Sequence, residues 1–204
     1  MKIHLHQNDL PDDLDLGSLV AIDTEAMGLH PHRDRLCLVQ LSAGDGVCHL
    51  VQFPQKQYEN APNLKRLLAD TKVTKLFHFA RFDVMILSHY LGVLATPLYC
   101  TKIASKLVRT FTDRHSLKDL CKELLKIEIS KQEQTSDWGA QDLTQDQLQY
   151  AATDVLHLHA LKVKLDMLLE RENQINLAKG CFEFLPHRTA LDLTAGEEFD
   201  IFHH

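Results

Sequence analysis

Nowhere in its 204 residues does this chain stay apolar for the roughly 18 positions that a membrane-spanning helix needs, so that class is excluded and no membrane association is expected. The first residues, Met1-Lys2-Ile3-His4-Leu5-His6, lack the apolar centre of a secretory signal. Cysteine is sparse and unpatterned: Cys37, Cys48, Cys100, Cys121 and Cys181 are odd in number, and none forms a C-x-x-C pair. That argues against a zinc site and for a reducing, cytoplasmic setting. Positive charge is also short, with 22 basic against 28 acidic residues and a net charge of −6. A protein that grips long nucleic acid on a broad basic face is thereby disfavoured; a nucleic acid that is short, or held through metal ions, is not. The 13 histidines show no H-x-x-x-H spacing, and the chain has no internal repeat or low-complexity linker.

What is present, 45% hydrophobic and 25% charged residues, suits a single globular domain over residues 1–204 with a core able to stand alone. Residues 1–17 read as polar, with a turn or helix start at Leu10-Pro11-Asp12-Asp13. Residues 19–22, 36–41 and 47–51 read as strands joined by short connections, an antiparallel meander. Helix and strand then alternate, with helices at 63–70, 80–92 and 101–109 and strands at 74–79 and 97–100, which implies parallel crossovers. From Ser116 onward the pattern is helical only. Ser116 caps one helix, and Thr144 with Gln147 forms a capping box opening a long one, whose apolar stripe runs from Leu148 to Leu168. The tail, residues 186–204, is acidic and weakly patterned. Its Leu191, Leu193, Phe199, Ile201 and Phe202 suggest docking, with a neighbouring subunit as one candidate surface. The expected class is α/β: a mixed sheet of five to six strands, antiparallel meander then parallel strands, flanked by helices, with an all-helical C-terminal part.

The first strand ends in Asp23-Thr24-Glu25. Alternate residues of an extended chain face one side, so Asp23 and Glu25 share a face at the strand mouth. Like charges that close are costly unless neutralised, and a hard divalent cation with oxygen ligands does so. On this stretch alone, a turn with two solvated acids competes evenly. Asp83 falls in the first turn of a helix after His78-Phe79-Ala80-Arg81-Phe82, where an acid also favours the helix dipole. Tyr150 and Asp154 are four apart on a helix, nearly on one face. A half-buried tyrosine beside a surface acid fits equally there. The four acids and the tyrosine together, in this order on these elements, resist being read one at a time.

In that combination the chain resembles the DEDD superfamily of 3′–5′ exonucleases, of the ribonuclease D type and in the subgroup with tyrosine in its third motif. Asp23-x-Glu25, Asp83 and Tyr150-x-x-x-Asp154 carry the three motifs. His115-Ser116-Leu117-Lys118-Asp119-Leu120 and Ser136-Asp137-Trp138 agree with them. The likeness spans about residues 19–165, and its short form is similar to the nanoRNase (oligoribonuclease) branch of that family. The resemblance implies a ribonuclease H-like fold and a homo-oligomer, in that branch a ring-shaped octamer. It implies hydrolysis of dinucleotides and very short RNA, or short DNA, from the 3′ end to nucleoside 5′-monophosphates. A general ribonuclease D-like exonuclease acting on RNA 3′ ends or on DNA is the alternative. A silent binding module and a metal-stabilised structural domain are the readings from other classes.

The implied cofactors are two divalent ions, Mg²⁺ or Mn²⁺, held by Asp23, Glu25, Asp83 and Asp154. Tyr150 would orient the attacking water, since a phenol with a pKa near 10 is a poor base at neutral pH. For substrate, the candidates are Thr24 and Gly28 through their backbone, Leu29 as a wedge against the terminal base, and His78, Arg81, Phe82 and Gln40 near the acids. Arg109, Arg114 and His115 are further candidates for a 5′ phosphate.

Overall fold

The structure, a computed structural model, describes residues 1–130, 133, 135–196, 198, 200, 201 and 203. Six strands form one sheet in the order β1-β4-β3-β2-β5-β6. They are β1 (Lys2–Gln7), β2 (Leu19–Ala26), β3 (Leu36–Ser42), β4 (Val47–Gln52), β5 (Thr74–Phe77) and β6 (Leu98–Cys100). The meander of β2, β3 and β4 is antiparallel, while β5 and β6 add parallel to β2, as the alternation of elements predicts. β1 departs from the expectation of a polar lead-in. It is an edge strand, parallel to β4, and no residue of it is fully buried, so it carries little apolar alternation to read. His6 and His49 meet across this pairing with ring nitrogens 3.0 Å apart.

Seven helices cover the sheet: α1 (Pro62–Ala69), α2 (Ala80–Leu91), α3 (Thr101–Val108), α4 (Leu117–Leu120), α5 (Gln145–Leu156), α6 (Leu158–Arg171) and α7 (Ile175–Ala195). α4 runs on as a π-helical turn, Cys121–Leu125. The capping box at Thr144 and Gln147 is formed. The single long helix expected after it is broken at His157 into α5 and α6. Neither glycine nor proline marks the break, and the apolar stripe carries on through Leu158, Leu161 and Leu165, all buried. α7 overturns the weakly patterned tail as far as residue 195. Pro186 lies inside it, where a proline ordinarily ends a helix, and apolar side chains sit all round it rather than in one stripe. α7 packs on α2, α3, α6 and β6 of its own chain. Phe199 and Phe202 lie outside the described residues.

The core is one continuous cluster around β2, β3 and the facing helices. Lys75 is fully buried within it, and burial brings its ammonium down to about 8. Its Nζ donates to the carbonyls of Asp70, Val73 and Thr96 at 2.6, 2.9 and 2.6 Å, tying the end of α1 to the approach to β6. Among the described residues no helix is long and apolar enough to cross a membrane.

Candidate active site

β2 is central and rich in branched residues that suit a buried strand, and it delivers Asp23 and Glu25 to its C-terminal end. A bulge follows Glu25, and the chain leaves the sheet through Met27, Gly28 and Leu29. α5 packs across β2, β3 and β4, bringing Asp154 to the two strand acids. One carboxylate oxygen each from Asp23, Glu25 and Asp154 lie within 4.8 Å of one another. Asp83, in the first turn of α2, is buried beside them and accepts a hydrogen bond of 2.6 Å from the Thr24 hydroxyl. The structure therefore gathers all four sequence-predicted acids.

Their electrostatics follow from that crowding. Burial first, then Asp83, Asp154 and Glu25, hold the Asp23 carboxyl well above the usual range. Burial, then Asp154 and Asp83, do the same to Glu25. Burial pushes Asp83 up to about 7, against the pull of its Thr24 hydrogen bond. Tyr150 sits one turn before Asp154, and its phenol is pushed up by burial and then by Asp154, Glu25 and Asp23. Hard oxygen donors this close, each unfavourable to ionise alone, fit divalent cations of the Mg²⁺ or Mn²⁺ kind.

The acids floor a cavity of about 680 Å³. Thr24, Gly28, Leu29, His78 and Phe82 line it, as the sequence predicts, with Leu29 strongly exposed. Thr24 has a second role as the donor to Asp83. At Gly28 the constraint is Asp34: a Cβ there would lie 2.2 Å from its Oδ2. Asp34 is held in place by Arg33 and the His30 amide. His78 bonds Thr101 Oγ1 at 2.9 Å through Nδ1.

Two substrate candidates fall elsewhere. Arg81 is engaged by Asp192 of α7, at 2.7 and 2.9 Å, so its guanidinium joins two helices. Gln40 is wholly buried on β3 opposite Asp23 and is not among the residues lining the cavity. Arg109 is likewise structural, buried and paired with Glu123, the Ser105 hydroxyl and the Arg114 carbonyl. His115 bonds Ser105 Oγ at 2.8 Å.

Other residues of the wall were not among the sequence candidates for the site. Lys102 and Lys118 bring ammonium groups to the cavity, and Lys102 lies 4.2 Å over the Phe79 ring. Trp138 is buried with its ring centroid 6.0 Å from that of Tyr150. Gln147, besides closing the α5 cap, donates to the Asp137 carbonyl at 3.1 Å and so fixes the segment carrying Trp138. Trp138 and Lys118 both fall in segments that carry the family resemblance, which is the hint the sequence offers here.

Four converging acids and a tyrosine on this mixed sheet define a class. Residues 7–170 match the 3′–5′ exonuclease family, and the chain belongs to it. It is 37% identical over 157 residues to ribonuclease D of Gluconacetobacter diazotrophicus, a match covering 77% of this chain and 39% of that protein. The chain thus spans well under half the length of the curated relatives it matches. Brucella melitensis NrnC with bound Mg²⁺ is similar over the full length of both chains, at 53% identity and a TM-score of 0.94. NrnC bound to pGG gives 54% identity and a TM-score of 0.94, over 100% of this chain and 99% of that one. Within that family the chain is of the ribonuclease D and NrnC type, on a ribonuclease H-like fold.

Proposed function

We propose that this protein hydrolyses dinucleotides and very short RNA oligonucleotides from the 3′ end, releasing nucleoside 5′-monophosphates. The observation that carries the reading is the convergence of Asp23, Glu25 and Asp154, with Asp83 beside them, on the floor of a cavity of about 680 Å³. Such a volume suits a small ligand better than a long strand. The full-length likeness to NrnC, a protein solved with pGG, supports the same size of substrate.

Asp23, Glu25 and Asp154 would hold one divalent ion, and Asp83 together with Asp23 a second. Bound there, Mg²⁺ or Mn²⁺ supplies charge stabilisation at the attacking and leaving oxygens and acidifies water. The Tyr150 hydroxyl would orient the water; burial first, then Asp154, Glu25 and Asp23, hold its phenol above its ordinary value, which disfavours a role as base. Thr24 fixes Asp83 through its hydroxyl. Leu29, Phe79 and Phe82 offer apolar surface to bases, and Lys102 and Lys118 offer positive charge to phosphate in an otherwise acidic chain. Val163 and Met167, exposed one turn apart on α6, offer apolar surface for a homo-oligomer, an octamer on the family resemblance. The described cysteines are all free, which suits the cytoplasm.

The test is a series of 3′-labelled or 5′-labelled RNAs and DNAs of two to about twenty residues, with Mn²⁺ and with chelator. The expected result is fastest turnover of the dinucleotide, only with metal. A rate that climbs with length points instead to general trimming of RNA 3′ ends, and preference for DNA overturns the ribonuclease reading.

A further inference from the structure

Gln40, buried beside the acids, has an amide with no partner at either end. Its side chain is completely buried on β3, and neither its amide nitrogen nor its amide oxygen makes a hydrogen bond. Buried amides are almost always paired, because an unpaired one forfeits its bonds to water. The neighbouring glutamines obey that rule. Gln52 donates to the carbonyls of Ala140 and Gln141 at 3.1 and 3.0 Å and accepts from Gln7 at 2.9 Å. Gln147 is bonded at both ends of its amide.

The register explains what Gln40 is for. It stands directly opposite Asp23 in the antiparallel pairing of β2 with β3. Residues so placed share a face, with Cβ atoms about 5 Å apart, so the Gln40 amide has the reach to meet the Asp23 carboxylate. It is not among the residues lining the cavity. In the cation-free protein the Gln40 amide makes no hydrogen bond at all, although it stands opposite Asp23. A carboxylate that holds a cation keeps oxygen lone pairs outside the ligation, and metal-bound carboxylates generally have those lone pairs hydrogen-bonded by a neighbouring donor.

We infer that Gln40 is a positioning residue: its buried amide holds the Asp23 carboxylate for the divalent ions. The inference rests on the metal-dependent reading above. It predicts a stability cost in the cation-free state that is repaid on loading, which a mere filler of the core would not show.

The experiment follows thermal unfolding of wild type, Gln40→Met and Gln52→Met, with chelator and across a Mn²⁺ titration. Gln40→Met keeps the shape and removes the unpaired amide. The expected result is a chelated melting temperature equal to or above wild type, with the Mn²⁺ midpoint for stabilisation raised roughly tenfold or more. Gln52→Met, losing real bonds, should melt lower throughout with an unchanged midpoint. A lower chelated melting temperature for Gln40→Met, or an unchanged midpoint, overturns the inference alone. Should Gln40→Met fail to fold, Gln40→Leu replaces it, and failure of both makes the amide structural and ends the inference. A wild type indifferent to Mn²⁺ removes the metal site and the inference with it.

Discussion

Thr24 sits between the two strand acids, and its hydroxyl donates to Asp83 at 2.6 Å. One hydroxyl thus couples β2 to α2 at the site. Thr24→Val removes the donor and leaves the carboxylate buried. The expected outcome is a loss of about 1–3 kcal/mol in urea unfolding of the metal-loaded protein, with more metal needed for half-maximal turnover. Tyr150→Phe should lower the rate by about 10²-fold or more while Mn²⁺ still shifts the melting temperature; equal activity would contradict the orienting role. The carboxyls set a pH dependence. Asp23, Glu25 and Asp83 all have folded-state pKa values above their ordinary ones. Between the carboxylate range and about 7, the folded state therefore binds more protons than the unfolded, and stability falls as pH rises. With chelator, the melting temperature should drop between pH 5 and 7.5, and Asp23→Asn should flatten that slope and abolish turnover. Mn²⁺ should reverse the drop in wild type. These acids were legible in the sequence because motif spacing fixes which face each occupies; the Thr24 bond to Asp83 was not, because it joins positions 59 residues apart.

Among elements, α7 is one whose contribution the sequence conceals. Pro186 and the all-round apolar pattern obscure a helix that nonetheless packs against α2. Near its C-terminal end, Asp192 is buried and accepts bonds from both Arg81 and Arg188. Arg81 lies two residues before Asp83, so the latch steadies the turn that presents an acid. Asp192→Ala should cost roughly 2–3 kcal/mol and reduce kcat more than a substrate-binding defect would, with KM little changed. Activity lost purely through KM would return Arg81 to the substrate. The strands β2 to β6 and helices α1 to α3 were readable because each carries its own apolar pattern between turn residues, whatever it packs against. β1 was hidden because its pairing with β4 spans more than forty residues. The α5–α6 break was hidden because no residue type encodes it.

At the scale of the molecule, a net negative chain that handles nucleic acid must neutralise phosphate locally. On the proposed reading, divalent cations held by the acids would do this together with Lys102 and Lys118 at the cavity wall, without a basic face. Turnover of a dinucleotide should then be abolished by chelator and weakly dependent on monovalent salt, since few phosphates are contacted; a steep fall in kcat/KM from 50 to 200 mM salt would indicate an extended strand track. The sequence by itself determined the meander and crossovers, the α5 cap, and the five side chains of the site, because periodicity, capping and motif spacing are local properties. Only the tertiary structure decided that Asp83 leans on Thr24, that Arg81 is spent on α7, that Asp34 forces the glycine at 28, and that Gln40 is sealed beneath Asp23. Each of those depends on which atoms a long-range fold brings within bonding distance, and no local pattern records that.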